Sequence, residues 1–338
     1  MRIDRRRGGD KNPITKKLTI ICMNILFILD PFEKLIPSED TTLIVMSEAS
    51  KRGHIVWACH SDELLIEDGV AVAYARKTTV KANDKVTWSE GETEKVALDK
   101  MQVIFMRTNP PFNSSYLTAT YILSRVDETK TLIVNRPEAL RNYNEKLLVF
   151  EFPQFCAPTL ITVRKSDIRE FVEKHDTAVI KPLYDFGGHG ICVLNKNDKN
   201  ITSIAEMVTK NFTESVVLQK YIPEAEKGDI RAVALNGKII GYESRIRSSS
   251  EYRNNISSGG HLERANLTKS QKIMAEQVAA RLPSLGIFFA GIDIIGDYIT
   301  EINITSPTGI ATINKLENIH LEPLVVDFFE SYEKFLTR

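Results

Sequence analysis

Residues 24–29 read Asn-Ile-Leu-Phe-Ile-Leu, apolar at both the odd and the even positions, and Asp30-Pro31 ends the run. Apolar residues on both faces mark a strand covered from both sides, as in a parallel sheet. A helical stretch follows from Thr41 to Arg52, then Gly53 as a stop and a second apolar run through Ala58. Strand, helix, glycine stop and strand is the β-α-β order of an open parallel sheet. Val103–Met106 and Leu132–Val134 are further buried strands of the same kind, ended by Arg107-Thr-Asn-Pro-Pro111 and Asn135-Arg-Pro137. Ligands of such sheets gather beyond the carboxyl ends of the strands, which makes Asp30, Arg107 and Asn109 candidate pocket residues; strand-end loops also carry polar residues for no such reason.

From about residue 145 the pattern changes. Ala178–Leu183, Ile191–Leu194 and Val216–Gln219 are short apolar runs suited to a mixed or antiparallel sheet. Ile230–Leu235 and Ile239–Ser244 flank Asn236-Gly237, the strongest short signal of a hairpin. A helix is expected over Lys269–Leu282, leading into Gly291-Ile-Asp-Ile-Ile-Gly-Asp-Tyr-Ile-Thr-Glu-Ile-Asn303. The expected fold class is an α/β N-terminal unit followed by two α+β units, with no internal repeat.

Length and composition fit that division. A chain of 338 residues favours two or three compact units, and 43% hydrophobic with 26% charged residues is the balance of a soluble protein with a sizeable core. Lys plus Arg and Asp plus Glu both number 44, so net charge points to neither nucleic acid nor a membrane surface. Four well-separated cysteines (Cys22, Cys59, Cys156, Cys192) form no Cys-x-x-Cys pair, which fits a reducing cytoplasm better than a zinc site or a disulfide framework. The apolar run Leu18–Leu29 is broken by Asn24 and is too short for a bilayer. With Arg5–Arg7, Lys16 and Lys17 before it, the segment imitates a signal peptide but lacks a small-residue cleavage site. Residues 1–22 are expected to be a basic, disordered tail, and Met23 is itself a possible start.

Three groups of residues carry candidate chemistry. Asp293, Glu301 and Asn303 surround a Gly296-Asp297 turn, and alternation puts Glu301 and Asn303 on one strand face. A loop of three residues, or a bulged turn, places Asp293 opposite Glu301 and facing the same way; a plain two-residue loop would turn it away. Two carboxylates and an amide are hard oxygen donors suited to Mg²⁺ shared with phosphates, although an edge hairpin can carry three such residues on its solvent face. Lys181 ends an apolar run just before Asp185-Phe-Gly187-Gly188-His-Gly190, so backbone N–H groups and an ammonium can meet an anion there. Arg245 and Arg253 bracket a polar stretch that ends in Gly259-Gly260, either a mobile loop closing over phosphoryl oxygens or an ordinary surface loop.

Taken in order, these signals resemble the ATP-grasp superfamily, and the match is closer to the bacterial glutathione synthetases. The resemblance lies in Met106-Arg-Thr-Asn-Pro-Pro-Phe112, Ala119-Thr-Tyr-Ile-Leu123, Asn135-Arg-Pro-Glu-Ala-Leu-Arg-Asn-Tyr-Asn-Glu-Lys-Leu147 and, almost residue for residue, Gly291–Thr308. It covers essentially Met23 to the C-terminus. It implies an N-terminal Rossmann-like substrate domain at 23–144, an ATP-grasp lid at 145–222 and a C-terminal ATP-grasp subdomain with the metal site at 223–338. By the same resemblance, Lys146 and Lys181 contact ATP phosphates, with Lys181 also near the adenine, and Gly187 and Gly188 cover the triphosphate. Gln219, Lys220, Tyr221 and Ile222 form the hinge that reads adenine, and Asp229 lies near the ribose. Arg231, Arg245 and Arg253 face the transferring phosphoryl group, while Asp293, Glu301 and Asn303 hold two Mg²⁺ ions, or Mn²⁺ in their place. Asn255, Gly259, Gly260, Ser306 and Pro307 lie near the peptide substrate.

The implied activity joins γ-glutamylcysteine to glycine through an acyl phosphate, in a cytoplasmic homotetramer. Such a transfer needs positioning and charge neutralisation more than a covalent protein nucleophile. Three departures from the family pattern stand out: Asn109 in place of Asp, Arg247–Ser250 in place of a Pro- and Gly-containing loop, and Gly309 in place of a bulkier residue. They bear on substrate identity rather than reaction type. The rival readings are another ATP-grasp peptide ligase and a silent ATP-binding protein.

Overall fold

The computed structural model describes residues 22–82, 86–246 and 260–336, with side chains to residue 332. The apolar run at the start is strand β1 (Asn24–Leu29), buried at every position after Asn24. It lies parallel between β2 (Ile55–Cys59) and β6 (Val103–Arg107), and β7 (Leu132–Val134) runs parallel beyond β6. Helix α1 (Thr41–Lys51) makes the β1–β2 crossover; the Asp40 side chain caps it by accepting the Leu43 amide at 2.9 Å.

Three strands lack a clear sequence signal. β3 (Leu64–Glu67), β4 (Val70–Ala82) and β5 (Val86–Ala97) form an antiparallel meander on the β2 edge of the same seven-stranded sheet. Most of β5 is exposed, and a strand that buries little gives weak apolar alternation. Helices α2 (Ser114–Leu123) and α3 (Pro137–Asn142) follow β6 and β7.

The second sheet is antiparallel, in the order β10-β9-β11-β8, from β8 (Thr159–Thr162), β9 (Thr177–Pro182), β10 (Cys192–Asn195) and β11 (Val216–Lys220). Helices α4 (Lys165–His175) and α5 (Ile201–Val208) cover it around a core of its own that includes Ile168, Val172, Ile180, Leu194 and Leu218. The third sheet holds β12 (Asp229–Leu235), β13 (Lys238–Ile246), β14 (His261–Arg264), β15 (Phe289–Ile295) and β16 (Tyr298–Asn303), in the order β14-β13-β12-β15-β16. Asn236 and Gly237 turn the β12–β13 hairpin with φ of 43° and 85°, the left-handed pair that a tight hairpin requires. Helix α6 (Lys269–Arg281) starts at a Thr268/Gln271 capping box and leads into β15.

The first and third sheets are joined by shared apolar clusters. Phe105 of β6 meets Phe289 of β15 edge-on at 5.6 Å, in a cluster that also holds β1, Val233 and Leu235. After α7 (Ile310–Glu317), helix α8 (Glu322–Leu336) returns to α1, where Arg52 pairs with Asp327 at 2.6 Å and Glu330 at 3.2 Å.

Asn135, just past β7, fixes this junction. Its Nδ2 donates to the Phe289 and Ile304 carbonyls at 2.8 and 2.7 Å, and its Oδ1 accepts the Phe288 and Phe289 amides at 2.7 and 2.8 Å. One buried amide thereby grips the start of β15 and the end of β16. Replacing Asn135 by Ala strands two carbonyls and two amides, each an uncompensated desolvation, and is expected to cost about 3 kcal/mol or more. Urea unfolding measures the change, and a loss under about 1 kcal/mol would refute the clamp.

Candidate active site

Cross-strand pairing in the third sheet gathers its polar side chains on one face. Arg231 of β12 stands beside Glu243 of β13 on one side and Asp293 of β15 on the other; Asp229 faces Arg245, and Asp293 faces Glu301 of β16. The turn between β15 and β16 decides this. Ile295 pairs with Tyr298 across a two-residue Gly296-Asp297 loop, and an irregularity then skips Thr300, so Asp293 regains Glu301 as its partner. A bulge, rather than a longer loop, keeps the three oxygen donors on one face.

The buried charges are matched. Arg231 grips Asp293 through Nε and Nη2, the latter at 3.0 Å, and Arg245 Nη2 reaches the same carboxylate at 2.8 Å. Arg245 also holds both oxygens of Asp229, at 2.7 and 2.8 Å. Burial alone would push the Asp293 carboxyl up, but Arg231 and Arg245 hold it well below the usual carboxylate range. Burial likewise works against the Arg245 charge, and Asp229 with Asp293 raises its pKa instead. Gly291 leaves room for this lattice, because a Cβ there would lie 2.9 Å from Arg231 Cδ.

The second sheet faces this lattice across a cleft of about 340 Å³. Val179 and Lys181 alternate with the core residues Ala178 and Ile180, so β9 presents them to the cleft. Lys181 is buried, donates to Gln219 Oε1 at 3.1 Å, and has its pKa lowered chiefly by burial. Gly187 and Gly188, with φ of 63° and 76°, form the turn at the rim. Consecutive residues in that region let successive backbone N–H groups converge on an anion. Gln219, Lys220, Tyr221, Ile222 and Asp229 line the same cleft, with Gln219 and Lys220 on β11 beside β9. The Lys220 and Tyr221 amides already donate to the Pro158 and Thr177 carbonyls at 2.9 and 3.1 Å.

Lys146 lies outside the cleft's lining but reaches its edge. Its Nζ donates to the Asp185 carbonyl and stands 3.8 Å from Glu301 Oε1. The preceding residue, Glu145, is buried and accepts the Ile304 amide, the Thr305 amide and the Thr305 hydroxyl at 2.7, 2.9 and 2.9 Å, fixing the chain just after Asn303.

Of the residues tied to the peptide substrate, Ser306 is half-buried and Pro307 buried; neither lines the cleft, and the Pro307 carbonyl accepts Arg107 Nη2 at 2.8 Å. Gly260 precedes β14 and is also off the lining. Arg253, Asn255 and Gly259, together with the departing stretch 247–250, lie outside the described residues. The sequence left unmarked the apolar walls Val179, Ile191, Val193 and Ile295, suited to a flat ring, and the acidic Glu39 and Glu243. Alternation along β9 was the available signal for Val179; Glu39, from the first sheet's unit, had none.

Glu301 and Asn303 offer oxygen donors that suit a hard divalent cation, beside Asp293, whose oxygens Arg231 and Arg245 already hold. Glu301 is 22% exposed with Lys146 Nζ at 3.8 Å, and Asn303 is engaged through Nδ2, at 3.2 Å from Asp293 Oδ2, which leaves its Oδ1 as a donor to a cation. Three protein oxygens do not fill an octahedral shell, so phosphate and water would supply the rest.

The family model of the prokaryotic glutathione synthetase N-terminal domain matches residues 23–141, and that of the ATP-grasp domain of the same family matches 145–318. The chain is 37% identical to the glutathione synthetase of a Nostoc species, over 91% of this chain and 98% of that protein. It is 39% identical to that of Gloeobacter violaceus, over 92% and 98%. Among solved structures, D-cycloserine synthetase DcsG superposes with a TM-score of 0.64 at 11% identity, over 92% of this chain and 99% of that one. The ATP-grasp ligase PsnB, complexed with a precursor variant, Mg and ADP, superposes at 0.60 with 13% identity, over 91% and 97%. At such identity these two show the fold alone.

The Asp293 and Glu301 carboxylates differ in what they hold. Asp293→Asn leaves two buried guanidinium groups short of a counter-charge and is expected to lower stability by about 3 kcal/mol. Glu301→Gln, whose carboxylate has only a loose ion pair, should change it by less than about 1 kcal/mol. Denaturant unfolding of both variants at pH 7 checks the contrast, and equal losses would contradict it.

Proposed function

The chain belongs to the prokaryotic glutathione synthetase family, and from that membership we propose how its cleft joins γ-glutamylcysteine to glycine at the expense of ATP. The observation that carries the proposal is the convergence of Lys181, Arg231 and Arg245 on one cleft with Asp293, Glu301 and Asn303, and with Lys146 at its edge. Ammonium and guanidinium groups set beside hard oxygen donors suit a polyphosphate that arrives with divalent cations.

The apolar walls Val179, Ile191, Val193 and Ile295 take the adenine ring. With the Lys220 and Tyr221 amides engaged, the base edge meets the hinge through its carbonyls and the Ile222 amide. Lys146 and Lys181 neutralise the phosphates, and the turn at Gly187 and Gly188 closes over them. Asp293, Glu301 and Asn303 would hold Mg²⁺, two ions by the family resemblance, and the metal would supply positive charge to offset the phosphates. Asp229 keeps Arg245 in place beside the nucleotide.

The reaction proceeds in two displacements. A carboxylate oxygen of γ-glutamylcysteine attacks the γ-phosphorus; the bond from phosphorus to the bridging oxygen breaks and ADP leaves. Arg231 and Arg245 stabilise the phosphoryl oxygens during transfer, worth orders of magnitude in rate for groups aimed at developing charge. The amine of glycine, having lost a proton, then attacks the acyl carbon, and phosphate departs with the electrons of the broken C–O bond. The acyl phosphate is open to hydrolysis, so a second sheet that can close over it as a lid protects the product.

Incubation with ATP, Mg²⁺, γ-glutamylcysteine and glycine should give ADP, phosphate and glutathione in equal amounts, and chelation of the metal should abolish turnover. Glu301→Gln should lower kcat at least about a hundredfold while the fold persists. ADP release only with a different amino acid or dipeptide would replace the proposal by another ATP-grasp peptide ligase.

A further inference from the structure

Glu243 of β13 lines the nucleotide cleft but belongs to neither the phosphate-binding nor the metal-binding set. It is 3% exposed, and the Thr312 hydroxyl of α7 donates to its Oε2. No hydrogen bond among the described residues reaches its Oε1. A buried carboxylate oxygen left open toward a cleft is costly, and a donor from a ligand relieves that cost.

The charged groups around it are engaged elsewhere. On β12 Arg231 is its cross-strand partner, yet Nε and Nη2 of Arg231 go to Asp293, and Nη1 donates to the Thr308 carbonyl at 3.4 Å. Arg245, two residues further along β13, is held by Asp229 and Asp293. On β14 Arg264 pairs in register with Glu243, but its Nε donates to the Leu316 carbonyl at 2.8 Å and stands 3.6 Å from Glu317. Asp293 lies two strands away, beyond Arg231, and Glu39 lines the cleft from the first sheet's unit. Arg231 and Arg245 balance Asp229 and Asp293 without Glu243, which leaves its charge with no matching cation.

Gly309 keeps the approach to Oε1 open. A Cβ there would lie 3.5 Å from Glu243 Oε1 and 3.7 Å from Arg231 Cγ, so the space beside this residue borders both side chains. In the ligase reading Arg231 stabilises the transferring phosphoryl group. A ligand held on Oε1 therefore stands next to the acyl phosphate. The partner required there is a cationic N–H donor, and the second displacement uses one that must lose a proton before it reacts.

We propose that Glu243 Oε1 receives the ammonium of the acceptor glycine and takes its proton, as general base of the second displacement, an assignment that rests on the ligase reading above. One N–H bond breaks and its proton passes to Oε1; the freed electron pair attacks the acyl carbon. The second proton leaves with the departing phosphate, and Glu243 gives its own back to water. Burial pushes the Glu243 carboxyl above the usual range, against the Thr312 hydrogen bond and the charges of Arg231 and Arg245. It is thereby a stronger base than an exposed carboxylate.

Hydroxylamine separates this role from a structural one, because it is already neutral at pH 7 and needs no base. Glu243→Gln should form glutathione from glycine about a hundredfold more slowly at pH 7, with the KM for ATP unmoved. With hydroxylamine in place of glycine, variant and parent should form hydroxamate alike. The variant's rate with glycine should also climb with pH where the parent's is level, because solvent must then take the proton. Thr312→Val tests the same carboxylate from its other side. It removes a bond that favours the charged form, so the Glu243 pKa rises and the acid limb of kcat should move to higher pH. Equal losses with glycine and hydroxylamine, an unchanged rate with glycine, or an acid limb that Thr312→Val leaves in place would each overturn the assignment while the ligase reading stands. Should the parent itself form neither product, both fall.

Discussion

The Asp293 carboxylate, buried and shared by two guanidinium groups, is the constraint that the catalytic architecture depends on. A charge so placed is costly unless every oxygen is paired, and here Arg231, Arg245 and Asn303 all reach it. Meeting that demand fixes much else. β12 must lie between β13 and β15, Thr300 must bulge out of register, and residue 291 must lack a side chain. Arg231 and Arg245 against Asp229 and Asp293 make a neutral set at rest. The positive charge left over is carried by Lys146 and Lys181, opposite Glu301. Glu39 and Glu243 line the same cleft, so its carboxylates and cations nearly balance, and a nucleotide's tail would enter together with its own divalent cations.

The division of cores assigns these groups to different bodies. The face that carries Asp293, Glu301 and Asn303 stands on a sheet that shares its apolar packing with the N-terminal sheet and is gripped by Asn135 and Glu145. Lys181 and the glycine turn belong to the second sheet, whose core is separate. Residues 144–146 cross between the two: Asn144 Nδ2 donates to the Leu183 carbonyl at 3.1 Å, Glu145 holds the end of β16, and Lys146 returns to Asp185. Lys181 and the glycine turn can therefore shift with the second sheet while the oxygen donors of the third stay put, as a lid would require.

Much of this was legible in the sequence because it is encoded locally. Alternation in Glu301-Ile-Asn303, the Asn236-Gly237 turn and the doubly apolar β1 each specify their own geometry. The partners of Asp293 were not legible, since Arg231 and Arg245 reach it only through pairing between strands far apart in the chain. Neither were β4 and β5, whose exposed faces dilute the apolar signal. Asn135 and Glu145 read as parts of a family-like segment, yet their work, seven hydrogen bonds at 2.7–2.9 Å to strands some 150 residues away, leaves no local trace.

Two of the departures from the family pattern fall at one place. Asn109 stands two residues after Arg107 and Gly309 two residues after Pro307, and the Arg107–Pro307 hydrogen bond at 2.8 Å joins the two segments. Gly309 has φ of 134°, and a Cβ there would lie 2.9 Å from Val233 Cγ2 and 3.5 Å from Glu243 Oε1. The chain therefore passes closer to β12 and β13 than a bulkier residue could. On the other side, the Asn109 backbone amide and Nδ2 both donate to Asp30 Oδ2, at 3.1 and 2.7 Å. The junction also bears on the buried lattice, since a Cβ at Gly309 would lie 3.7 Å from Arg231 Cγ and the Thr308 carbonyl accepts Arg231 Nη1 at 3.4 Å. Variation there therefore reaches the guanidinium lattice through residue 309 and the Asp30 carboxylate through residue 109.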